Sequence, residues 1–421
     1  MRDRELLRVG GLLAVAAVVL AAAAMPGHAR PAERKRMQKL DFDVRLDVLH
    51  RELSPEFCWF HPRAAAIPGA GRDGHPAVIV TLQKHLRASD HYSGLYTMRS
   101  DDLGKTWTGP TEVPELGWVH EPNGVTVAVA DVTPGWHPQT RRLIAIGAQV
   151  RYNQGGDQLE DTHRAHQTAY AVHDPRTGAW SRWKRLEMPP DKQFDYARSA
   201  CAQWLVQPDG TLLVPLYIGR NANEPMAVTV AQCAFDGQEL KCLRHGNVME
   251  LNVERGLCEP SVAFFGGRYY LTIRNDVKGY VTVSEDGLHY RAIQPWVFDD
   301  GTELGSYNTQ QHWVAHSDGL YLSYTRRGAN NDHIPRSRAP IFIARVDPER
   351  LCVLRDTERV LIPERGAMLG NFGACAISPR ESWVTDAEYI MSDRPDARGA
   401  DGSAFIARII WSRPNRLAPR R

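Results

Sequence analysis

The sequence lacks the short motifs that mark the commonest nucleotide-dependent and hydrolytic enzymes. It has no Walker loop, no dinucleotide-binding glycine fingerprint, no Gly-x-Ser-x-Gly turn and no His-Glu-x-x-His motif. Phosphoryl transfer, redox chemistry and serine hydrolysis are therefore excluded as starting hypotheses. Beyond residue 40 the chain also lacks a convincing amphipathic helix, which excludes the helical fold classes.

The chain also lacks a strong net charge and any zinc-like spacing of cysteines. Its 51 basic and 49 acidic residues give a formal charge of +2, so there is no global basic field and nucleic acid is not a predicted partner. None of its seven cysteines forms a Cys-x-x-Cys pair, and no metal ligand set is predicted. Cys233 and Cys242 flank a predicted hairpin turn, so a disulfide between them is an open alternative in an oxidising compartment.

The N-terminus is typical of a secretory signal peptide. Three arginines precede an apolar run over residues 10–25, and small residues follow up to Ala29, where cleavage is predicted. A membrane anchor is the alternative, although the run is short for a span of about 20 residues. We expect a signal peptide over 1–29, a basic flexible leader over 30–45 and a tail over 416–421. The mature protein is expected in the periplasm or medium, without a membrane contact.

Short β-rich runs bounded by turn residues recur along the rest of the chain. Residues 77–82, 211–217 and 320–324 are examples, and turns such as Pro208-Asp209-Gly210 introduce several of them. Residues 46–415 are therefore expected to form one all-β domain.

Residues 100–107 fill every fixed position of the Asp-box pattern Ser-x-Asp-x-Gly-x-Thr-Trp. Ser100 and Asp102 can bond the backbone of a tight turn, Gly104 supplies a positive φ, and Trp107 is an apolar anchor. Two degenerate relatives occur at 173–180 and 284–290. The recurrence predicts a six-bladed β-propeller of four-stranded antiparallel sheets, with five or seven blades as alternatives. The chain resembles the Asp-box (BNR-repeat) propellers of the sialidase (neuraminidase) superfamily.

That resemblance implies candidate site residues. Residues 258–274 look like the sialidase block in which a glutamate precedes an arginine by about fifteen residues, which implies that Glu259 is the general base or nucleophile-activating carboxylate and Arg274 binds the substrate carboxylate. The early aromatic-arginine motif is altered here, with His61 and Pro62 before Arg63. Arg63 is the implied first arginine, and His61 can titrate near neutrality. Asp90, ten residues before the Asp box, is the implied general acid.

Two features of the resemblance stay open. The third arginine could be Arg326, Arg327 or Arg345. Sialidases use a late tyrosine as nucleophile, whereas the matching region here carries Phe372, and Tyr307 is an alternative.

The missing tyrosine keeps a second chemistry open, related to propellers that cleave uronate polysaccharides by elimination or release rhamnose from them. Elimination needs a cation at the carboxylate, a base and an acid. His120, His166, Tyr196 and Arg198 are candidates for these roles.

We therefore expect a secreted carbohydrate-active enzyme that hydrolyses a glycosidic bond of an acidic glycan. A uronate lyase or rhamnose-releasing enzyme and a non-catalytic glycan-binding propeller are the alternatives. No cofactor is predicted, a structural calcium ion stays open, and the oligomeric state is not predicted.

Overall fold

The computed structural model describes residues 40–86, 90–159, 167–220 and 224–419. The predicted signal peptide, most of the predicted leader and His166 lie outside these ranges. Within them the chain consists of strands and short 3₁₀ helices, and it has no α-helix. No helix among the described residues has the length and apolar character needed to cross a membrane.

The strands form six antiparallel sheets, which are the six blades of a β-propeller. Strand β1 (Phe42–Arg51) belongs to the last blade and is followed by blade 1, which contains β2 (Phe57–Ile67), β3 (Ala77–Leu86), β4 (Tyr92–Ser100) and β5 (Thr108–Glu112). Blade 2 contains β6 (Val119–His120), β7 (Thr126–His137), β8 (Arg142–Tyr152), β9 (Thr168–Asp174), β10 (Ala179–Trp180) and β11 (Lys184–Arg185). Blade 3 contains β12 (Tyr196–Arg198), β13 (Leu205–Val206), β14 (Leu212–Gly219), β15 (Ala227–Phe235) and β16 (Leu240–His245).

Blade 4 contains β17 (Cys258–Phe265), β18 (Arg268–Arg274), β19 (Tyr280–Ser284) and β20 (Gln294–Pro295). Blade 5 contains β21 (His312–His316), β22 (Gly319–Tyr324), β23 (Ile341–Asp347), β24 (Cys352–Val353) and β25 (Arg359–Ile362). Blade 6 contains β26 (Gly373–Ser378), β27 (Glu381–Ala387), β28 (Ser403–Trp411) and β1. The 3₁₀ helices are η1 (Arg72–Gly74), η2 (Pro114–Leu116), η3 (Lys192–Phe194), η4 (Pro335–Ser337) and η5 (Arg355–Thr357). The predicted all-β, six-bladed propeller is confirmed.

The first and last strands close the ring. β1 pairs with β28 from Phe42 opposite Trp411 to Arg51 opposite Ser403. Because this pairing starts at Phe42, residues 42–45 belong to the propeller. The prediction of a flexible leader over 30–45 is therefore wrong for these four residues. The tail also contacts the propeller, since Arg416 forms an ion pair with Asp318 at 2.9 Å.

The Asp box closes the hairpin between β4 and β5. The Ser100 hydroxyl accepts a bond from the Gly104 N–H at 2.7 Å, and Asp102 accepts bonds from the N–H and hydroxyl of Thr106 at 2.9 and 2.6 Å. Gly104 has a φ of 74°, which a side chain would strain. The degenerate box at 284–290 makes the same kind of turn between β19 and β20, where Asp286 bonds the hydroxyl of Ser284.

Gln203 plugs the central channel of the propeller. Its side-chain amide donates to the carbonyl oxygens of Trp313 and Ala374, both at 3.0 Å, and its oxygen accepts from the N–H of Trp313 at 2.6 Å. One side chain of blade 3 thereby joins blades 5 and 6 across the axis. Gln203 lines one of two cavities, and the other, more polar cavity contains the candidate site.

All seven cysteines lie within the described residues and are free thiols. Cys233 and Cys242 lie directly opposite each other on β15 and β16. The disulfide between them therefore stays a prediction.

Candidate active site

A polar cavity of about 870 Å³ opens at one end of the propeller axis. Residues from all six blades line it, so it is formed by the ring as a whole. Its lining includes arginines, carboxylates, histidines and tyrosines together with few aliphatic side chains. A cavity with this composition is suited to a polar, anionic ligand.

The cavity floor is built from one backbone feature that successive blades repeat. In each of the first five blades, a non-glycine residue with a positive φ of 47–58° lies beside the axis and lines the cavity; these residues are His61, Asp131, Cys201, Glu259 and Asn308. The first two and the fourth also interrupt the pairing of the inner strand with its neighbour. Such backbone conformations are costly for residues with a side chain and concentrate at functional sites.

Glu259 is held by Arg274 on the adjacent strand of blade 4. The Arg274 Nη1 donates to Glu259 Oε1 at 2.5 Å, and its Nη2 donates to the side chains of Asp276 and Asn308 at 3.1 and 2.7 Å. Burial alone would lower the pKa of Arg274, but the charge of Glu259 raises it well above its usual value. The second oxygen of Glu259, Oε2, is buried and has no partner among the described residues. The site thus presents a fixed carboxylate with one free acceptor.

Arg338 supplies a buried cation without a carboxylate partner among the described residues. Its Nε donates to the main-chain carbonyl of Asn308 at 3.1 Å, and its Nη2 donates to the same oxygen. Burial, together with the charges of Arg274 and Arg336, lowers the pKa of Arg338 to about 10. A guanidinium in this state is ready to bind an anion.

Asp131 is anchored from both neighbouring blades. His61 Nε2 lies 2.8 Å from its Oδ1, and the Cys201 thiol donates to the same oxygen at 3.1 Å. Burial raises the pKa of Asp131, but the charges and hydrogen bonds around it, chiefly those of His61 and Arg63, hold it well below its usual range. Asp131 is therefore an ionised carboxylate with one anchored oxygen.

His61, Asp131 and Cys201 are also the described residues whose side chains could hold a metal ion, since their ligand atoms lie within 4.8 Å of one another. The structure arranges them as a hydrogen-bonded group. Burial raises the pKa of the Cys201 thiol well above its usual value, and the charge of Asp131 adds to this shift. In this arrangement the thiol is a hydrogen-bond donor to Asp131.

Arg198 and two tyrosines form a second cationic region on blade 3. The Arg198 Nη1 donates to the hydroxyl of Tyr196 at 2.6 Å, and its guanidinium lies over the rings of Tyr196 and Tyr217. Arg198 has no ion pair with a described carboxylate, and its Nε is buried without a partner in the described part of the chain. This cation is a further candidate for substrate binding.

Asp90 lies at the exposed edge of the cavity and accepts a bond from the Tyr92 hydroxyl at 3.0 Å. His85 lines the cavity beside it. Burial lowers the pKa of His85 to about 4, which keeps this imidazole neutral.

The structure brings six of the predicted site residues into the cavity lining, namely His61, Asp90, Tyr196, Arg198, Glu259 and Arg274. Their chemical roles stay predictions. Arg63 lies beneath the cavity: it is buried, its Nε reaches the carbonyl of Phe372 at 3.4 Å, and both terminal nitrogens lack a partner among the described residues.

Five other predicted residues are outside the cavity lining, namely Tyr307, Arg326, Arg327, Arg345 and His120. Tyr307 lies under the guanidinium of Arg327, which is 4.0 Å from the ring centre and also donates to the carbonyl of Val277. Arg326 is fixed by Glu358 at 2.7 Å. His120 is exposed on β6 and contacts the Thr126 hydroxyl at 3.2 Å.

Sequence reasoning missed Asp131, Cys201, Asn308 and Arg338. No short motif surrounds them. Asp131 is on blade 2 and Cys201 on blade 3, while Asn308 and Arg338 are far apart in the sequence of blade 5. The even spacing of His61, Asp131 and Cys201 along the chain was the available signal.

No protein-family model matches the sequence, and comparison with curated proteins gives no match either. Solved structures do match. A mutant of Trypanosoma rangeli sialidase displaying trans-sialidase activity gives a TM-score of 0.53 at 13% identity, over 88% of this chain and 58% of that one. The NanB sialidase of Streptococcus pneumoniae, as its K499G mutant, gives 0.57 at 11% identity, over 86% and 70%. The fold is that of the sialidase propellers.

The Hadza microbial sialidase Hz136 agrees with this result, with a TM-score of 0.56 at 12% identity over 83% of this chain and 65% of that one. The chain thus spans between 58% and 70% of the length of these three sialidases. The resemblance to the sialidase superfamily is confirmed for the fold. At this level of identity the match shows the fold alone. The chemistry of this propeller depends on its own residues.

Proposed function

We propose that the protein is a glycoside hydrolase that cleaves a glycosidic bond of an acidic glycan. The observation that carries the proposal is the pairing of Glu259 with Arg274 in an axial cavity that also contains Arg198 and Arg338. Fixed guanidinium groups bind carboxylates, and a carboxylate with a free oxygen can take up a proton. The similarity to sialidase structures supports glycosidase-type activity.

In this mechanism the arginines hold the acidic group of the substrate and so fix the sugar over the cavity floor. Asp90, at the exposed edge, protonates the leaving oxygen as the glycosidic bond breaks. Glu259 takes a proton through Oε2, while Arg274 keeps its Oε1 in place. The positive charge that develops on the sugar ring is stabilised by the nearby carboxylates.

The decisive test is the Glu259→Gln variant with acidic oligosaccharides and polysaccharides as substrates. We expect the release of reducing ends to fall at least about a hundredfold, while binding measured by calorimetry persists. Glu349→Gln is the matched control, because Glu349 is a surface carboxylate that pairs with Arg268 outside the cavity. Full activity of Glu259→Gln would remove Glu259 from the mechanism.

Elimination at a uronate is the second candidate, and the bond from Arg198 to the Tyr196 hydroxyl favours it. A cation beside a phenol makes the phenolate easier to form, which suits a tyrosine that exchanges protons with substrate. A lyase would produce an unsaturated uronate with new ultraviolet absorbance and would depend on Tyr196. Reducing ends without that absorbance would rule the lyase out.

We also propose that the protein is exported. The arginine-led apolar segment at residues 1–29 supports this. Fractionation of cells that express the full chain should recover a shortened protein from the periplasm or medium, and uncleaved protein in the cytoplasm would contradict export.

A further inference from the structure

Asp131 has the geometry of a reacting group. His61 of blade 1 and Cys201 of blade 3 both bond its Oδ1, so the carboxylate is fixed from two sides. Its Oδ2 accepts no bond from the described residues. The Asp131 side chain is 16% exposed, against 2% for that of His61, and it lines the cavity. Oδ2 is therefore the part of this group that a bound sugar can meet.

Asp131 shares this arrangement with Glu259. Each carboxylate comes from a positive-φ position on the cavity floor and has one oxygen anchored by protein, while its other oxygen accepts no bond from the described residues. Blade 3 lies between their blades, and the charges of both act on its Cys201 thiol. Most glycosidases use a pair of carboxylates that flank the scissile glycosidic bond.

The late position at which sialidases carry their tyrosine nucleophile has no hydroxyl group in this protein. Phe372 is fully buried in the core between blades 5 and 6, and the neighbouring cavity residue is Asn371. A retaining hydrolase with this cavity would take its nucleophile from another blade.

We propose that Asp131 is the nucleophile, and that the substrate is a uronide whose anomeric carbon carries no carboxylate. This inference rests on the proposed hydrolase function. An anionic nucleophile is repelled by a carboxylate on the carbon that it attacks, as in a ulosonic acid. In a uronide the carboxylate is on C5, and the ring oxygen separates it from the anomeric carbon. Arg338 and Asn308 belong to blade 5, opposite blade 2 in a ring of six, and can hold that distant carboxylate.

The reaction then has two steps. Asp131 Oδ2 forms a bond to the anomeric carbon, the bond from that carbon to the leaving oxygen breaks, and Asp90 gives its proton to the leaving oxygen. In the second step Glu259 takes a proton from water, the water oxygen bonds to the anomeric carbon, and the ester to Asp131 breaks. Proton transfer through solvent from Glu259 to Asp90 restores the starting state.

The test uses the intact protein and 4-methylumbelliferyl glycosides of glucuronic, galacturonic and N-acetylneuraminic acid. We expect release from a uronide and none from the neuraminide. Incubation with a 2-deoxy-2-fluoro uronosyl fluoride should then leave one sugar on the peptide that contains Asp131, as seen by mass spectrometry. Label on Glu259 or Tyr196 instead would overturn the assignment, and hydrolysis of the neuraminide would overturn the uronide.

Variants separate catalysis from structural support. Asp131→Ala should lose at least about a thousandfold in kcat, and azide should restore turnover by forming a glycosyl azide. A residue that only holds His61 in place would give no azide product. Asp131→Asn keeps the shape of the side chain, and its melting curve reports whether the fold survives. Wild-type activity in Asp131→Ala with loss in Glu259→Gln would overturn this inference alone, whereas no release from any glycoside would overturn the hydrolase itself.

Discussion

The side chain of Arg338 lies against the main chain of Gly370. A Cβ atom on Gly370 would be 3.0 Å from Arg338 Cδ and 3.1 Å from its Cβ and Cγ. Gly370 has a φ of 97° and precedes the cavity residue Asn371. The missing side chain therefore leaves the space through which the guanidinium of blade 5 reaches the cavity floor.

Gly370→Ala should displace Arg338 and weaken the binding of acidic oligosaccharides. Loss of one charge-assisted contact corresponds to an affinity about tenfold lower. Calorimetric titration would measure it. Gly301→Ala is the matched control, since Gly301 also has a positive φ, 84°, but has open space where its Cβ would be. An equal effect of both substitutions would indicate backbone strain alone.

Arg338→Lys should raise KM for an acidic glycan by about tenfold or more with a smaller change in kcat. Lysine keeps the charge but cannot bond the Asn308 carbonyl and present a planar fork at the same time. Arg355→Lys, a change in a surface ion pair with Asp300, provides the control. An unchanged KM in Arg338→Lys would show that this cation does not contact the substrate.

Asp102→Ala should lower the melting temperature by a few degrees and leave the activity per folded molecule unchanged. The substitution removes the acceptor that holds both polar groups of Thr106 in the hairpin turn, which lies away from the cavity. Asp43→Ala, at an exposed position on β1, should melt like the wild type. Retained stability in Asp102→Ala would mean that the turn forms without its carboxylate.

His85 should make stability depend on pH. Its pKa is about 4 in the folded protein because the ring is buried, against about 6.5 in the unfolded chain. The unfolded state therefore binds the proton more readily, so the contribution of His85 is fully present above about pH 6.5 and is lost as the pH falls toward 4. The expected loss is at most about 3 kcal/mol.

The measurement is the free energy of unfolding in urea at several pH values. His85→Asn should reduce its slope below about pH 6.5, whereas His75→Asn, at an exposed histidine, should leave the slope unchanged. The neighbouring charges of Asp90, His61 and His91 also act on His85, so the comparison between the two variants is the informative quantity. Equal slopes in the two variants would contradict the assignment of this pH dependence to His85.

The fold is easier to predict from this sequence than the candidate site. The Asp box at residues 100–107 is a local structure, held by bonds within eight residues, and so it can be read directly. Glu259 and Arg274 could also be found, because they are on adjacent strands of one blade. Each of these features is encoded within a short stretch.

Asp131 and Arg338 could not be found in this way. Asp131 reaches the site through a bulge in β7 and is held by residues of two other blades. Arg338 depends on the absence of a side chain at Gly370, which is on the next blade. Tyr307 shows the converse: its hydroxyl and its position in the sequence suggested a nucleophile, but its ring packs against Arg327 and lies outside the cavity lining. Contacts between blades form only in the closed ring, so no short stretch of the sequence encodes them.

The pairing of β1 with β28 has a consequence for how the protein is made. The strand that completes blade 6 is among the first described residues to be synthesised, and its partner is among the last. The ring therefore cannot close until nearly the whole chain is available, and without this pairing the edges of β1 and β28 stay unpaired. The cavity, which needs all six blades, comes into existence only at that final step.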